Sequence, residues 1–172
     1  MSYGNQFKSE PLTTTYTTEQ YPLGTIFVQQ ADEVAAATHT DGTTSLGLKG
    51  DRTWMFVQAG VAVNIYDACV INAIATPLVV KPTDADGSAN YLFVGVAQGA
   101  IAINSYGWIV VRGECVVNGN ASINAGQLLD THGGSAAGLL DDDTTVAQLV
   151  GRALTATGTP VAATVAARVP LL

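Results

Sequence analysis

Charge is scarce in this chain. Only 12% of its 172 residues are charged, about half the ~25% usual for soluble domains. Much of the surface must therefore be neutral, and neutral surface is often surface that another molecule covers. The charge that exists is mostly negative, with 14 acids against seven bases for a net −7. Lys8, Lys49, Arg52, Lys81, Arg112, Arg152 and Arg168 stand singly along the chain. Phosphate binding needs clustered Lys and Arg, so the sequence argues against a nucleic-acid partner.

Cysteine is nearly missing as well. Cys69 and Cys115 are too few for a disulfide framework or a four-ligand zinc site, and both are expected to be small buried hydrophobes. No run of about 18 apolar residues can span a bilayer and no basic amphipathic helix can lie on one, so no membrane partner is expected. Without a basic-then-apolar leader, the expected place of synthesis is the cytoplasm.

Catalytic material is thin. His39 in THTDG and His132 in THGG sit in polar turns. A Cys–His nucleophile pair using Cys115 is formally possible, but nothing in the local sequence marks one. Neither GxxxxGK[ST] nor GxGxxG occurs in a strand-to-helix setting. Asp141-Asp142-Asp143 and Asp84-Ala85-Asp86-Gly87 lack the later ligands of a calcium loop and read as solvated turns. The expectation is a protein with no catalysis, no metal and no cofactor.

What is present is strand punctuation. The first 24 residues, MSYGNQFKSEPLTTTYTTEQYPLG, carry neither helical nor strand periodicity. Their threonines favour extended backbone. They read as an N-terminal arm in which Tyr3, Phe7, Tyr16 and Tyr21 are aromatic anchors for a neighbouring surface. From residue 25 to 172, short apolar runs alternate with Gly, Asn, Asp and Thr, the pattern of an all-β domain with little helix. Strands are expected near 25–30, 53–58, 68–72, 78–81, 91–97, 107–117, 127–130, 146–154 and 164–169. Residues 31–49 are expected to form a loop insertion with one turn of helix at most.

The chain also resembles itself. VAVNIYDACVI at 61–71 can be laid on IAINSYGWIVV at 101–111 with an offset of 40, and SINAGQLL at 122–129 is a fainter echo. Asn caps its own turn and tolerates left-handed backbone, which accounts for its recurrence there. A duplicated hairpin explains the match; so does the compositional sameness of β-rich sequence.

One stretch, SYGWIVVRGECVV at 105–117, sets a thiol beside a carboxylate and a guanidinium. Strand alternation separates them. Trp108, Val110, Arg112 and Glu114 fall on one side, and Ile109, Val111, Gly113 and Cys115 on the other. That places Cys115 in the core, with Trp108, Arg112 and Glu114 on an outer face that a neighbour can meet. A different use of the aromatics stays open: Trp54, Trp108 and Tyr106 can stack on sugar rings.

Four segments, YPLGTIFVQQ (21–30), GDRTWMFVQAGVAVNIYDACVI (50–71), VGVAQGAIAINSYGWIVVRGECVV (94–117) and VGRALTATGTPVAATVAARVPLL (150–172), resemble bacteriophage head decoration proteins, the capsid-stabilising or cement kind. The resemblance implies a small β-barrel or β-tulip-like domain that forms homotrimers on the outer surface of the capsid. It also implies bridging of neighbouring copies of the phage major capsid protein, and an N-terminal arm that orders on docking. The loop at 31–49 and the duplicated hairpin are extra to the compact members of that family. The alternative function is a virion-surface or head-fibre adhesin that binds host glycans.

Overall fold

The computed structural model describes residues 11–30, 50–73, 76–83, 92–119, 123–131, 137–142, 149–155 and 161–166. Tyr3, Phe7, His39, His132, Asp84, Asp86, Asp143 and the 31–49 insertion lie outside them. The described residues form nine strands and no helix: β1 (Ile26–Gln29), β2 (Arg52–Ala59), β3 (Ala68–Ala73), β4 (Thr76–Pro82), β5 (Phe93–Ala97), β6 (Tyr106–Val117), β7 (Leu128–Asp130), β8 (Leu149–Ala153) and β9 (Val161–Ala166). Each overlaps an expected strand, with β9 starting three residues before the expected 164.

The sheet runs β1-β2-β4-β3-β5-β6-β9-β8-β7, and an additional β2–β6 pairing closes β2, β4, β3, β5 and β6 into a five-stranded barrel. Closure removes the edges of those strands. Every barrel strand sends side chains inward: Met55 and Val57 from β2, Leu78 and Val80 from β4, Cys69 and Ile71 from β3, Val94 from β5, and Ile109 and Val111 from β6. The alternate residues Trp54, Phe56, Phe93, Val96, Trp108 and Val110 form a second core on the outside. Such a core needs a roof. Leu129, Val150, Ala153, Ala163 and Val165 of the β7–β8–β9 extension supply part of it, and Leu12, Tyr16, Tyr21, Leu23 and Phe27 pack against the rest.

The long strand β6 joins barrel to extension. Its first half pairs with β2 and β5, and its second half pairs with β9 from Arg112↔Ala166 to Val117↔Val161. Between the halves the β2–β6 register shifts at Thr53/Trp54, and Gly113 adopts φ +111°. A Cβ there would meet Asp51 O at 2.5 Å, so glycine permits both the backbone angle and the close approach. Past the bend, the Gln98 carboxamide stands in for a strand neighbour, donating from Nε2 to Val116 O at 2.8 Å and accepting from Val116 N at 3.2 Å.

The shift corrects the expected alternation. Cys115 and Val117 lie in the same core as Trp108 and Val110, whereas Ile109 and Val111 point into the barrel. One added residue exchanges the faces of everything beyond it.

The internal repeat is real in structure but in a different register. Hydrogen bonds close turns at Asn64–Asp67 and Ala102–Ser105, from Asp67 N to Asn64 O at 3.3 Å and from Ser105 N to Ala102 O at 3.0 Å. The third residue of each turn is left-handed: Tyr66 at φ 69° and Asn104 at φ 61°. The structural offset is therefore 38, not 40, and Asn64 does not superpose on Asn104. Pro22–Thr25 and Asn124–Gln127 repeat the device, with Gly24 and Gly126 at the left-handed position. A strand follows each turn: β1, β3, β6 and β7 in order.

Candidate functional site

Three of the expected contact residues, Tyr16, Tyr21 and Trp108, meet in one aromatic cluster. Tyr21 approaches Phe56 edge-on with ring centroids 5.3 Å apart and lies 5.4 Å from Trp108. Phe56 meets Trp108 at 5.2 Å and stacks on Tyr106 at 6.1 Å. Tyr16 reaches Phe56 at 6.0 Å, and Phe27 of β1 covers Trp108 at 6.5 Å. Offset and edge-to-face pairs at these separations contribute about 0.5–1.5 kcal/mol each beyond area burial.

The backbone places these rings. Tyr16 N donates to Tyr106 O at 2.9 Å and Tyr106 N donates back to Tyr16 O at 2.8 Å, a two-way bridge that sets Tyr16 beside the start of β6. The Pro22–Thr25 turn then delivers the chain into β1, with Gly24 N donating to Phe56 O at 2.8 Å. Residues 11–24 thus lie along the barrel of their own chain as a strap. Tyr16 and Tyr21 are half-buried within it.

Trp108 is not on an open outer face. It is 3% exposed because the strap and Phe27 cover the face that alternation assigns to it. Trp54 is equally buried, and its indole Nε1 donates to Gln29 Oε1 at 3.1 Å. Both indole faces are therefore shut off from a sugar ring.

Arg112 is exposed and Glu114 half-buried. A cation that reaches Glu114 is Arg52, which sequence reading leaves among the scattered bases. Its Nε donates to Glu114 O at 2.7 Å, and it is buried at the bend where β2 meets β6. Its Nη2 is buried and makes no hydrogen bond among the described residues. Burial lowers its affinity for its proton, while Cys115 and Glu114 act the other way.

Both thiols are buried and unpaired with each other. Burial pushes Cys115 up to about 12 despite the opposing pull of Arg52. Cys69 is raised by burial and by the charge of Asp67. A thiol so raised carries almost no thiolate at neutral pH and is chemically quiet.

Asp67 is a buried carboxylate with no marker in the sequence beyond its turn. Its Oδ2 accepts from Asn64 N at 2.8 Å and its Oδ1 from Asn118 Nδ2 at 3.0 Å. Burial raises its pKa against these hydrogen bonds. It fixes the Asn64–Asp67 turn to the end of β6. Among the described residues no group of three His, Cys, Asp or Glu is placed to hold a metal.

The outer surface is marked instead by apolar side chains. Ile26 and Val28 project from β1, at one end of the sheet order. Ile65 and Ile103 stand at the second position of their turns, and Leu128 and Leu149 lie on β7 and β8.

Compared with known protein families and with curated proteins, the chain matches none. Among solved structures, it is similar to the N base of the head fibre protein gp8.5 of bacteriophage phi29. That match has 16% identity and a TM-score of 0.43, and covers 67% of this chain and 94% of that one.

Proposed function

We propose that this chain is a structural virion protein that decorates a bacteriophage head and stabilises it by bridging neighbouring major-capsid subunits, as a homotrimer and without catalysis. One observation carries the reading. Three of the four segments that resemble decoration proteins lie in or against the doubly packed barrel: 21–30 supplies the last strap turn and β1, 50–71 supplies β2, the first repeat turn and most of β3, and 94–117 supplies most of β5 and all of β6, while the fourth, 150–172, supplies most of β8 and all of β9 in the extension that roofs it. The resemblance therefore sits in a load-resisting scaffold.

Physical chemistry supports the same use. A closed barrel with a filled interior and a roofed exterior is stiff, because close-packed cores transmit strain. Its low charge leaves neutral faces suited to permanent contacts, which bury roughly 2,000 Å² or more. Strand β1 ends the sheet order, and a terminal strand can accept another strand. Of the stacking platform that the glycan-adhesin alternative would use, Trp54 and Trp108 are buried and Tyr106 is half-buried.

The test mixes purified protein with expanded heads that lack it and sediments them. Saturable co-sedimentation at a fixed number of copies per head is expected. Failure to bind heads, together with binding to a glycan array, would replace this reading with the adhesin.

A further inference from the structure

We propose that the seat of the strap is an interaction surface between copies: residues 11–21 of one chain fill the seat of a second, and the exchange joins copies through the opened Pro22–Thr25 turn. The inference concerns how copies join and does not rest on attachment to heads.

The seat is shaped for one segment. Leu12, Thr14 and Tyr16 are half-buried while Thr13, Thr15 and Thr17 are exposed, the alternation of an extended chain lying on a surface. A Cβ on Gly99 would meet Thr13 O at 2.7 Å, closer than such atoms approach. Gly99 is not left-handed, so what requires glycine there is the passing backbone of the strap. The two-way bridge between Tyr16 and Tyr106 sets the register, and Tyr21 closes the far end against Phe56 and Trp108. The occupant that fits is therefore in view: it is a segment of this same chain.

None of these contacts depends on which copy supplies the strap. All are made by residues before Pro22, and the strap joins its own barrel through one four-residue turn, which Thr25 closes by donating from N and Oγ1 to Pro22 O at 3.0 and 2.7 Å. Exchange keeps the seat contacts and gives up the turn, so swapping this element between copies costs little. The reach is sufficient. Thr17–Gln20 form an exposed arc between the anchors, and residues 17–25, once straightened, span about 30 Å, the diameter of a small domain.

Charge favours this surface for self-contact. A chain of net −7 repels its own copies, so copies meet best where neither side is charged. Residues 98–111, which hold much of the seat, carry no charge, and Glu19 is the one charged residue of 11–24. It lies in the exposed arc. Each copy gives one strap and receives one, so the contact is heterologous and closes into a ring where the rotation between copies allows.

Cysteines at the paired positions test it. Tyr16 and Tyr106 exchange both backbone hydrogen bonds, which sets their Cα atoms about 5.5 Å apart, within disulfide reach. A Tyr16→Cys chain and a size-tagged Tyr106→Cys chain are unfolded together under reducing conditions, refolded without heads, oxidised and run on a non-reducing gel. Cys69 and Cys115 are buried in the folded protein and do not compete. A disulfide between tagged and untagged chains is expected, at least tenfold above the yield when Glu19→Cys replaces Tyr16→Cys. A yield no greater than that control overturns the proposal. A second measurement reads the equilibrium with both tyrosines in place. Wild-type protein should be oligomeric in sedimentation equilibrium, and Gly99→Ala, which sets a methyl group against Thr13 O, should weaken its association at least tenfold. A monomeric wild type, or an association unchanged by Gly99→Ala, also overturns it. Both readouts use isolated protein, so their failure is separable from failure to bind heads.

Discussion

The group that most resembles a reactive centre in the sequence, Arg112, Glu114 and Cys115, is taken apart by one glycine. Gly113 bends β6, Cys115 turns into the outer core, and Arg52 takes the position beside Glu114. With Cys115 pushed up to about 12, neither thiol should react with an aromatic disulfide reagent in the native protein, and both should react once denaturant unfolds it. Rapid labelling of the folded protein would contradict the burial argument. Asp67 gives a second prediction. Burial makes its carboxyl bind a proton more readily in the folded chain than in the unfolded one, so this group's contribution to stability falls as pH rises from the ordinary carboxylate value through the raised folded one. The stability of the wild type relative to Asp67→Asn should therefore be highest at and below the ordinary carboxylate value of about 4 and decline as pH rises above it. Thermal melts across that range decide it; a difference that does not change with pH would show that Asp67 is not raised.

The strands themselves are legible because hydrophobic runs and turn residues are local signals. Every expected strand has its counterpart, and the repeat at 61–71 and 101–111 marks two genuine turns. Three element-level features are not legible. The shift in β6 depends on how Gly113 meets Asp51 and Arg52, a contact between residues about 60 apart. The repeat offset of 38 is set by left-handed residues, Tyr66 in one copy and Asn104 in the other, which differ in type and so mislead an alignment by identity. The strap shows no periodicity because its anchors, Leu12, Tyr16 and Tyr21, meet a surface formed by other strands. These placements predict an asymmetric response to truncation. Compared with a chain that lacks residues 1–10, one that lacks residues 1–20 also loses Leu12 and Tyr16, including the two-way bridge to Tyr106, and should melt about 5–10 °C lower. Equal melting temperatures for the two truncations would mean that the strap does not hold the outer core.

At the scale of the whole molecule, two packed cores share one sheet. The interior of the barrel fixes its shape, and the outer core joins strap, barrel and extension into a single body, so a pull on the strap is borne by Phe56 and Trp108 rather than by a loose arm. What remains for partners is the neutral surface with Ile26, Val28, Ile103, Leu128 and Leu149 exposed on it. The most direct measurement is a cryo-electron microscopy reconstruction of heads decorated with the purified protein. The account predicts barrel-sized density at repeated lattice positions, touching more than one major-capsid subunit at each. Density confined to a projecting fibre, or heads that remain bare at saturating protein, would contradict it.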